Sequence, residues 1–218
     1  MKKITLILIA LVTAGFIYQG CSKNSTDLKS GGNPQEVSAS NEGKKLNVAT
    51  EESKMEWTAS KVTGQHHGTV DIGKGFLYSN KGTITGGEFD IDFTSIKVLD
   101  LTDTAMNNKL TNHLKSDDFF SASNFPSGKF VIKSITPLNN GTQNNYTLGG
   151  ILTIKGISKE ISFPASIKTN GDVVTASADF SIDRTLWDIK FRSGKFYENL
   201  GDKMINDEFS IKLNITAK

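Results

Sequence analysis

The three histidines are the residues whose side chains could carry metal or acid–base chemistry. His66 and His67 are adjacent, and His113 stands close to Asp117 and Asp118. Neighbouring side chains on a strand point to opposite faces, so at most one of the histidine pair can face His113. Imidazole and carboxylate groups suit a metal site or a general base, and they equally suit structural hydrogen bonds. The structural interpretation is favoured, and an envelope enzyme or metal-dependent site at the three histidines is the alternative.

The two arginines could recognise a charged head group. Arg184 and Arg192 are the only arginines among the 25 basic residues, and Arg184 lies between Asp183 and Asp188. A guanidinium offers a planar fork that pairs with a carboxylate or a phosphate. The head-group role competes with a structural ion pair to Asp183 or Asp188, and the ion pair is favoured.

No residue is marked as a catalytic nucleophile. The chain has no Gly-x-Ser-x-Gly elbow, and its single cysteine, Cys21, lies in the N-terminal segment. A Ser-His-Asp arrangement built on His113 would therefore be guesswork. We predict that the protein is not an enzyme and that it needs no cofactor.

The N-terminal segment predicts export and lipid anchoring. Two lysines precede an apolar run from Ile4 to Ile17, and Cys21 follows closely. This pattern is typical of a signal peptide, and the run is shorter than the roughly 20 residues of a membrane span. We predict a lipoprotein signal peptide at residues 1–20 and lipid attachment at Cys21. The protein is then expected in the bacterial cell envelope, anchored in a membrane and facing the periplasm.

Composition excludes a nucleic-acid ligand and divides the mature chain in two. The net charge of +2 falls to zero once the two lysines of residues 1–20 are removed, so no basic surface is expected. Residues 21–53 are rich in Ser, Asn, Gly, Lys and Glu, which predicts a flexible tether. Residues 54–218 contain the apolar pattern of a folded domain. A homodimer is left open.

Apolar and polar residues alternate along this domain, which predicts β-strands. The alternation is clearest at Tyr146–Ile154, 161–167, 174–182 and 209–217, with Gly-containing turn signals between the runs. Long strands joined as hairpins fit a sandwich or a barrel, and mid-strand glycines favour the barrel. We predict an all-β, antiparallel up-and-down barrel of about eight strands. A helical period inserts one short helix near 103–115.

The inward side chains of such a barrel would line a ligand channel or fill a core. Sequence alone does not separate these outcomes, because a ligand chain and a side chain present the same apolar surface. On the helix, Leu110 and Leu114 would border the interior with Phe119 and Phe120. The polar mouth is assigned to His67, His113 and Arg184. The remaining predicted lining residues are Trp57, Phe76, Phe89, Ile91, Phe93, Phe163, Phe180 and Phe209.

Five motifs, in this order and spacing, resemble the YceI-like family over nearly all of the mature domain, from Leu46 to Lys218. They are WTASKVTGQHHGTV at 57–70, TITGGEFDIDFTS at 83–95, the stretch 113–130, LTIKGISKEISF at 152–163 and FSIDRTLWDIKF at 180–191.

This resemblance implies a secreted bacterial protein with a lipocalin-like barrel that binds a polyisoprenoid or a similar lipid in a tubular apolar cavity. The expected function is carriage, storage or sequestration of that lipid in the envelope. The expected partners are the lipid and, through the anchor, a membrane. A structural adaptor with a filled core is a third hypothesis, beside the histidine-based enzyme or metal protein.

Overall fold

The computed structural model describes residues 37–138, 141 and 143–218, so the predicted signal peptide, Cys21 and the first part of the tether lie outside the described residues. The described part contains short 3-10 turns at Thr50–Glu52, Arg184–Trp187 and Gly201–Lys203. Its strands and its α-helix are β1 (Val37–Ser38), β2 (Lys44–Asn47), β3 (Lys54–Lys61), β4 (Gly64–Asn80), β5 (Thr83–Val98), α1 (Thr104–Lys115), β6 (Ser127–Pro137), β7 (Tyr146–Ile154), β8 (Ile157–Asn170), β9 (Val173–Asp183) and β10 (Ile205–Ala217).

Eight of these strands close into an antiparallel barrel. The order is β6-β5-β4-β3-β10-β9-β8-β7, and β7 pairs with β6 to complete the ring. The fold prediction is therefore confirmed, including the helix inserted between β5 and β6. We call the end that carries α1 and the β3–β4 turn the upper end, and the end that carries the β4–β5 and β8–β9 turns the lower end.

The barrel domain begins before the predicted boundary at residue 54. Strand β2, inside the predicted tether, pairs with the second half of β4, and Leu46 is only 1% exposed. Val48 then bridges to Ala217 on β10, which extends the wall where β3 is absent. The short strand β1 pairs with β6 outside the ring. The polar composition of this segment gave no strand signal, because the strand is held in place by only two buried apolar residues, Leu46 and Val48.

A bulge in β4 reverses which of its side chains face inward. The β4–β5 register shifts between Ile72 and Lys74, so Ile72 and Leu77 are both buried although they are five positions apart, an odd offset that would place them on opposite faces of a regular strand. The prediction that Phe76 lines the interior is therefore wrong. Its ring faces outward, 3.8 Å from Lys45 Nζ and 5.3 Å from the ring of Tyr78.

Helix α1 lies on the upper end without being embedded in it. Asp103 caps it by accepting a hydrogen bond of 2.8 Å from the Met106 N–H. No residue of α1 is buried, and Met106 is 55% exposed. Within the described part of the chain, no helix has both the length and the apolar character needed to cross a membrane.

Candidate functional site

The upper half of the barrel contains an apolar cavity of about 90 Å³. Inward side chains of the strands form its wall, and three residues from the helix end, Leu114, Phe119 and Phe120, lie over it. Among the described residues, Arg184 and Asn206 are the polar ones in its lining. The other lining residues are Met55, Trp57, Ala59, Val70, Ile91, Phe93, Ile96, Leu152, Ile154, Ile182, Ile189, Ile205, Phe209 and Ile211.

The lower half of the barrel is filled by a connected row of phenylalanines. Phe130 lies between Phe89 and Phe163, with ring centroids 5.6 Å and 5.5 Å apart, and Phe163 stacks on Phe180 at 4.0 Å. Only a space of about 30 Å³ is left in this half. These rings therefore act as packing in the structure and form a floor beneath the upper cavity.

The predicted lining residues divide between these two halves. Trp57, Ile91, Phe93, Leu114 and Phe209 line the upper cavity. Phe89, Phe163 and Phe180 belong to the phenylalanine row of the lower half, and Leu110 lines a groove outside the cavity.

Sequence reasoning missed many aliphatic lining residues. Met55, Val70, Ile182 and Ile211 line the cavity, and Ile182 and Ile211 lie in the alternating runs 174–182 and 209–217. The alternating pattern could have identified such aliphatic residues, but the predicted lining set consisted mainly of aromatic residues.

Two chain segments cover the upper end. In the segment after α1, Phe120 packs on Phe93 at 4.7 Å between ring centroids, and Phe119 contacts Phe191 of the β9–β10 connection at 5.5 Å. The same connection inserts Trp187, which is fully buried and donates a hydrogen bond of 3.1 Å to the Leu152 carbonyl. The cavity is thus roofed by rings that do not belong to the barrel strands.

His113 has a packing role in this roof. Its ring lies edge-on to Phe119 and Phe191, at 5.0 Å and 4.6 Å, and its Nε2 is 2.9 Å from Asp118 Oδ2. The neighbouring Asp117 accepts a hydrogen bond from the Ser121 hydroxyl and so fixes the turn after α1. The contacts of His113, Asp117 and Asp118 are those of a structural cluster.

His66, rather than the predicted His67, lies on the cavity side of β4. Ala59 lines the cavity and is the cross-strand partner of His66, whereas the His67 ring is exposed on the outer face. His66 Nδ1 is 2.7 Å from Asp100 Oδ2, and the His67 N–H donates to Asp100 Oδ1 at 3.0 Å. Partial burial alone would raise the pKa of Asp100, but these two hydrogen bonds outweigh it and lower the pKa below its usual value.

Arg184 holds the roof together from inside. Its side chain is 4% exposed and donates to the carbonyls of Ile189, Ile205 and Asn206 at 2.9 to 3.1 Å. Its carboxylate partner is Asp207, at 3.4 Å, and not the expected Asp183 or Asp188. Burial lowers the pKa of the guanidinium, while the charges of Asp207 and Asp183 act in the opposite direction. These bonds tie the β9–β10 connection to the start of β10.

The histidines do not converge on a shared site. His66 and His113 each pair with a separate aspartate, and His67 faces outward. Within residues 37–138, 141 and 143–218, no group of three His, Cys, Asp or Glu side chains is placed to hold a metal ion. What the geometry can do is surround an apolar molecule.

Comparison with known proteins agrees with this geometry. No curated protein matches the chain. It is similar to the solved structure of Burkholderia cenocepacia BcnA, with 21% identity over 78% of this chain and 99% of that chain and a TM-score of 0.61. It is also similar to a polyisoprenoid binding domain from Saccharophagus degradans implicated in plant cell wall breakdown, with 9% identity over 79% and 97% of the two chains and a TM-score of 0.57. These likenesses show the barrel fold.

The sequence itself carries a more direct assignment. A family model for the YceI-like domain matches residues 46–217, which begins at the buried Leu46 of β2 and ends with β10. The matched range therefore contains the whole closed barrel, the upper cavity and its roof. The chain belongs to the YceI-like domain family.

Proposed function

We propose that this protein binds a long apolar lipid, a polyisoprenoid, in the upper half of its barrel. The observation that carries the proposal is the apolar cavity, whose lining is hydrocarbon apart from Arg184 and Asn206. Burial of hydrocarbon contributes about 25 cal/mol per Å², so such a site binds without strong polar contacts. Membership of the YceI-like family and the fold shared with a polyisoprenoid binding domain support this choice of ligand.

The size of the cavity requires the roof to yield when the ligand enters. Pockets for drug-sized ligands have volumes of roughly 300 to 1,000 Å³, whereas this cavity measures about 90 Å³. Leu114, Phe119 and Phe120 are the side chains that can give way, because they come from the helix end and not from the paired strands. A flexible, methyl-branched chain is well suited to a space bordered by Ile and Phe side chains.

The chemistry of the site favours binding over catalysis. Arg184 is committed to backbone carbonyls, and His66 and His113 to their aspartates. No polar group on the cavity wall is therefore placed to act on a bound hydrocarbon. The function we propose is carriage, storage or sequestration of the lipid.

We place this function in the bacterial cell envelope, facing the periplasm. This location is supported by the sequence alone, through the predicted signal peptide at residues 1–20 and the predicted lipid attachment at Cys21. Both lie outside the described residues. Acyl chains attached to Cys21 would hold the barrel near a membrane, which is also the source of an isoprenoid ligand.

Native mass spectrometry of the protein purified from its own envelope fraction, followed by lipid extraction, tests the proposal. We expect one polyprenyl species per barrel. A Cys21→Ser variant, which lacks the anchoring acyl chains, is the matched control. It should no longer be found in the membrane fraction but should still contain the polyprenyl ligand. Recovery of a barrel that is empty in both forms would contradict lipid binding.

A further inference from the structure

We propose that the groove between helix α1 and the β3–β4 hairpin is a second subsite, which continues the barrel cavity and holds the outer part and hydroxyl end of an isoprenoid alcohol. The inference rests on the proposed function and specifies the route and the end group of its ligand. It follows from the shape of the groove, from the way α1 is attached and from the polar residues at the groove's outer edge.

The groove and the cavity are neighbours separated only by side chains. The groove has a volume of about 70 Å³, and Leu110, Gly64 and Lys61 line it. Half of its lining is shared with the cavity. The shared residues are Trp57, Ala59, Leu114, Phe119 and Ile205. Rotation of Leu114 and Phe119 would therefore join the two spaces without breaking a strand pair.

The other exit, past the β9–β10 connection, is much more firmly closed. There Trp187 and Ile189 are almost fully buried, and Arg184 binds three carbonyls. Opening this side would expose a buried tryptophan and leave buried polar groups without hydrogen-bond partners, which is energetically costly. A chain longer than the cavity would leave by the route that breaks fewer contacts.

Helix α1 is attached to the barrel by a few side-chain hydrogen bonds and not by buried side chains. The Asn107 side-chain amide donates to the carbonyls of Val98 and Leu101 at 3.0 and 2.9 Å, and Lys115 Nζ donates to the Thr94 carbonyl at 2.6 Å. All three carbonyls belong to β5 or to the residues that follow it. Leu110 and Leu114 lie over the groove, and neither is buried. Their side chains can therefore rotate while the hydrogen bonds that hold the helix stay in place.

The outer part of the groove offers hydrogen bonds to a hydroxyl group. His66 and Lys61 both line it, and the Asp100 carboxylate, which can only accept, holds the proton of His66 on Nδ1. In the neutral ring, Nε2 is then an acceptor for a hydroxyl proton. The Lys61 ammonium is a donor to the hydroxyl oxygen. An isoprenoid alcohol presents that combination at the end of an apolar chain.

Titration of purified protein with two isoprenoid alcohols, followed by intrinsic tryptophan fluorescence, tests the subsite. Geraniol is short enough to stay in the barrel, whereas geranylgeraniol must extend into the groove. In Leu110→Asp, we expect the Kd for geranylgeraniol to rise about tenfold or more and the Kd for geraniol to stay unchanged. Met106→Asp, one turn earlier on α1 at a position that is 55% exposed and outside the groove lining, is the matched control and should change neither Kd.

Each remaining outcome decides against the inference. Equal weakening of both alcohols by Leu110→Asp, or no weakening of either, would overturn the groove subsite while leaving lipid binding by the barrel intact. Failure of the unaltered protein to bind either alcohol would overturn the proposed function and this inference together. Leu110→Phe, which fills the groove without a charge, should reproduce the length dependence and serves if the aspartate variant does not fold.

Discussion

The lower and upper halves of the barrel share the same alternating strands but use their interiors differently. In the lower half, the rings of Phe89, Phe130 and Phe163 contact one another inside the barrel over neighbouring strands and leave about 30 Å³. In the upper half, the rings of Phe119 and Phe120 sit in the roof and leave about 90 Å³ beneath them. The strands therefore close the lower half with their own side chains, whereas the upper half depends on two added segments for closure.

Glycines contribute to this difference by letting rings lie across neighbouring strands. A Cβ on Gly150 would come within 2.5 Å of Phe130 Cζ, so the ring that fills the lower half requires glycine there. A Cβ on Gly68 would similarly come within 2.6 Å of Trp57, at the wall of the upper cavity. The lower half is thus a packed core, whereas the interior of the upper half is incompletely packed.

Removal of one ring of the lower half should give the largest effect. We expect Phe163→Ala to lower the free energy of unfolding by about 3 to 5 kcal/mol, because it deletes the ring between Phe130 and Phe180. Urea denaturation measures this change. Phe209→Ala, at the cavity wall, is the comparison and should cost less because its ring is only partly buried. Equal losses would contradict the distinction between the two halves.

Loss of the guanidinium in the roof comes next. We expect Arg184→Met to lower the free energy of unfolding by about 3 kcal/mol, since three carbonyls and Asp207 lose their partner. Thermal and urea unfolding measure the loss, and Arg184→Lys should recover only part of it. A variant that keeps its stability but loses lipid would instead favour the head-group role that the sequence left open.

A small-to-large substitution in each half should separate packing from binding. Ala178→Leu, beside the lower space, should cost about 1 to 3 kcal/mol of unfolding free energy because that half is already filled. Ala59→Leu, at the upper cavity, should change stability by less than about 0.5 kcal/mol and weaken lipid binding about tenfold. Paired urea and lipid titrations decide the matter. A reversed pattern would show that the lipid occupies the lower half.

Acid should loosen the upper end through Asp100, with the smallest effect of the four. Its folded pKa lies below the ordinary value of 3.8, so its contribution to stability is present above that pH and is lost as the pH falls through the folded pKa. We expect Asp100→Asn to destabilise the protein near pH 6 and to make less difference near pH 3. Urea unfolding at both pH values measures this. An equal difference at both would exclude the carboxylate as the cause.

The site was harder to predict from sequence than the fold, and Phe76, Arg184 and His66 show why. The bulge near Gly73 reversed the phase of β4, and nothing in the local pattern marks where the phase changes. Arg184 pairs with Asp207, which is distant in sequence and adjacent only because β9 and β10 pair. The choice between His66 and His67 depends on the β3–β4 register, which pairs His66 with the cavity-lining Ala59.

The sequence by itself determined the long strands, the short helix and the barrel, because alternation and turn residues act over a few neighbouring positions. Helix α1 begins after Asp103, and the turn at Lys155 and Gly156 has positive φ angles at both positions, which glycine adopts without a steric penalty. The tertiary structure alone decided which half of the barrel is filled. That outcome depends on contacts among the rings of Phe89, Phe130 and Phe163, which come from three different strands, and packing of this kind is a property of volumes brought together from distant parts of the chain.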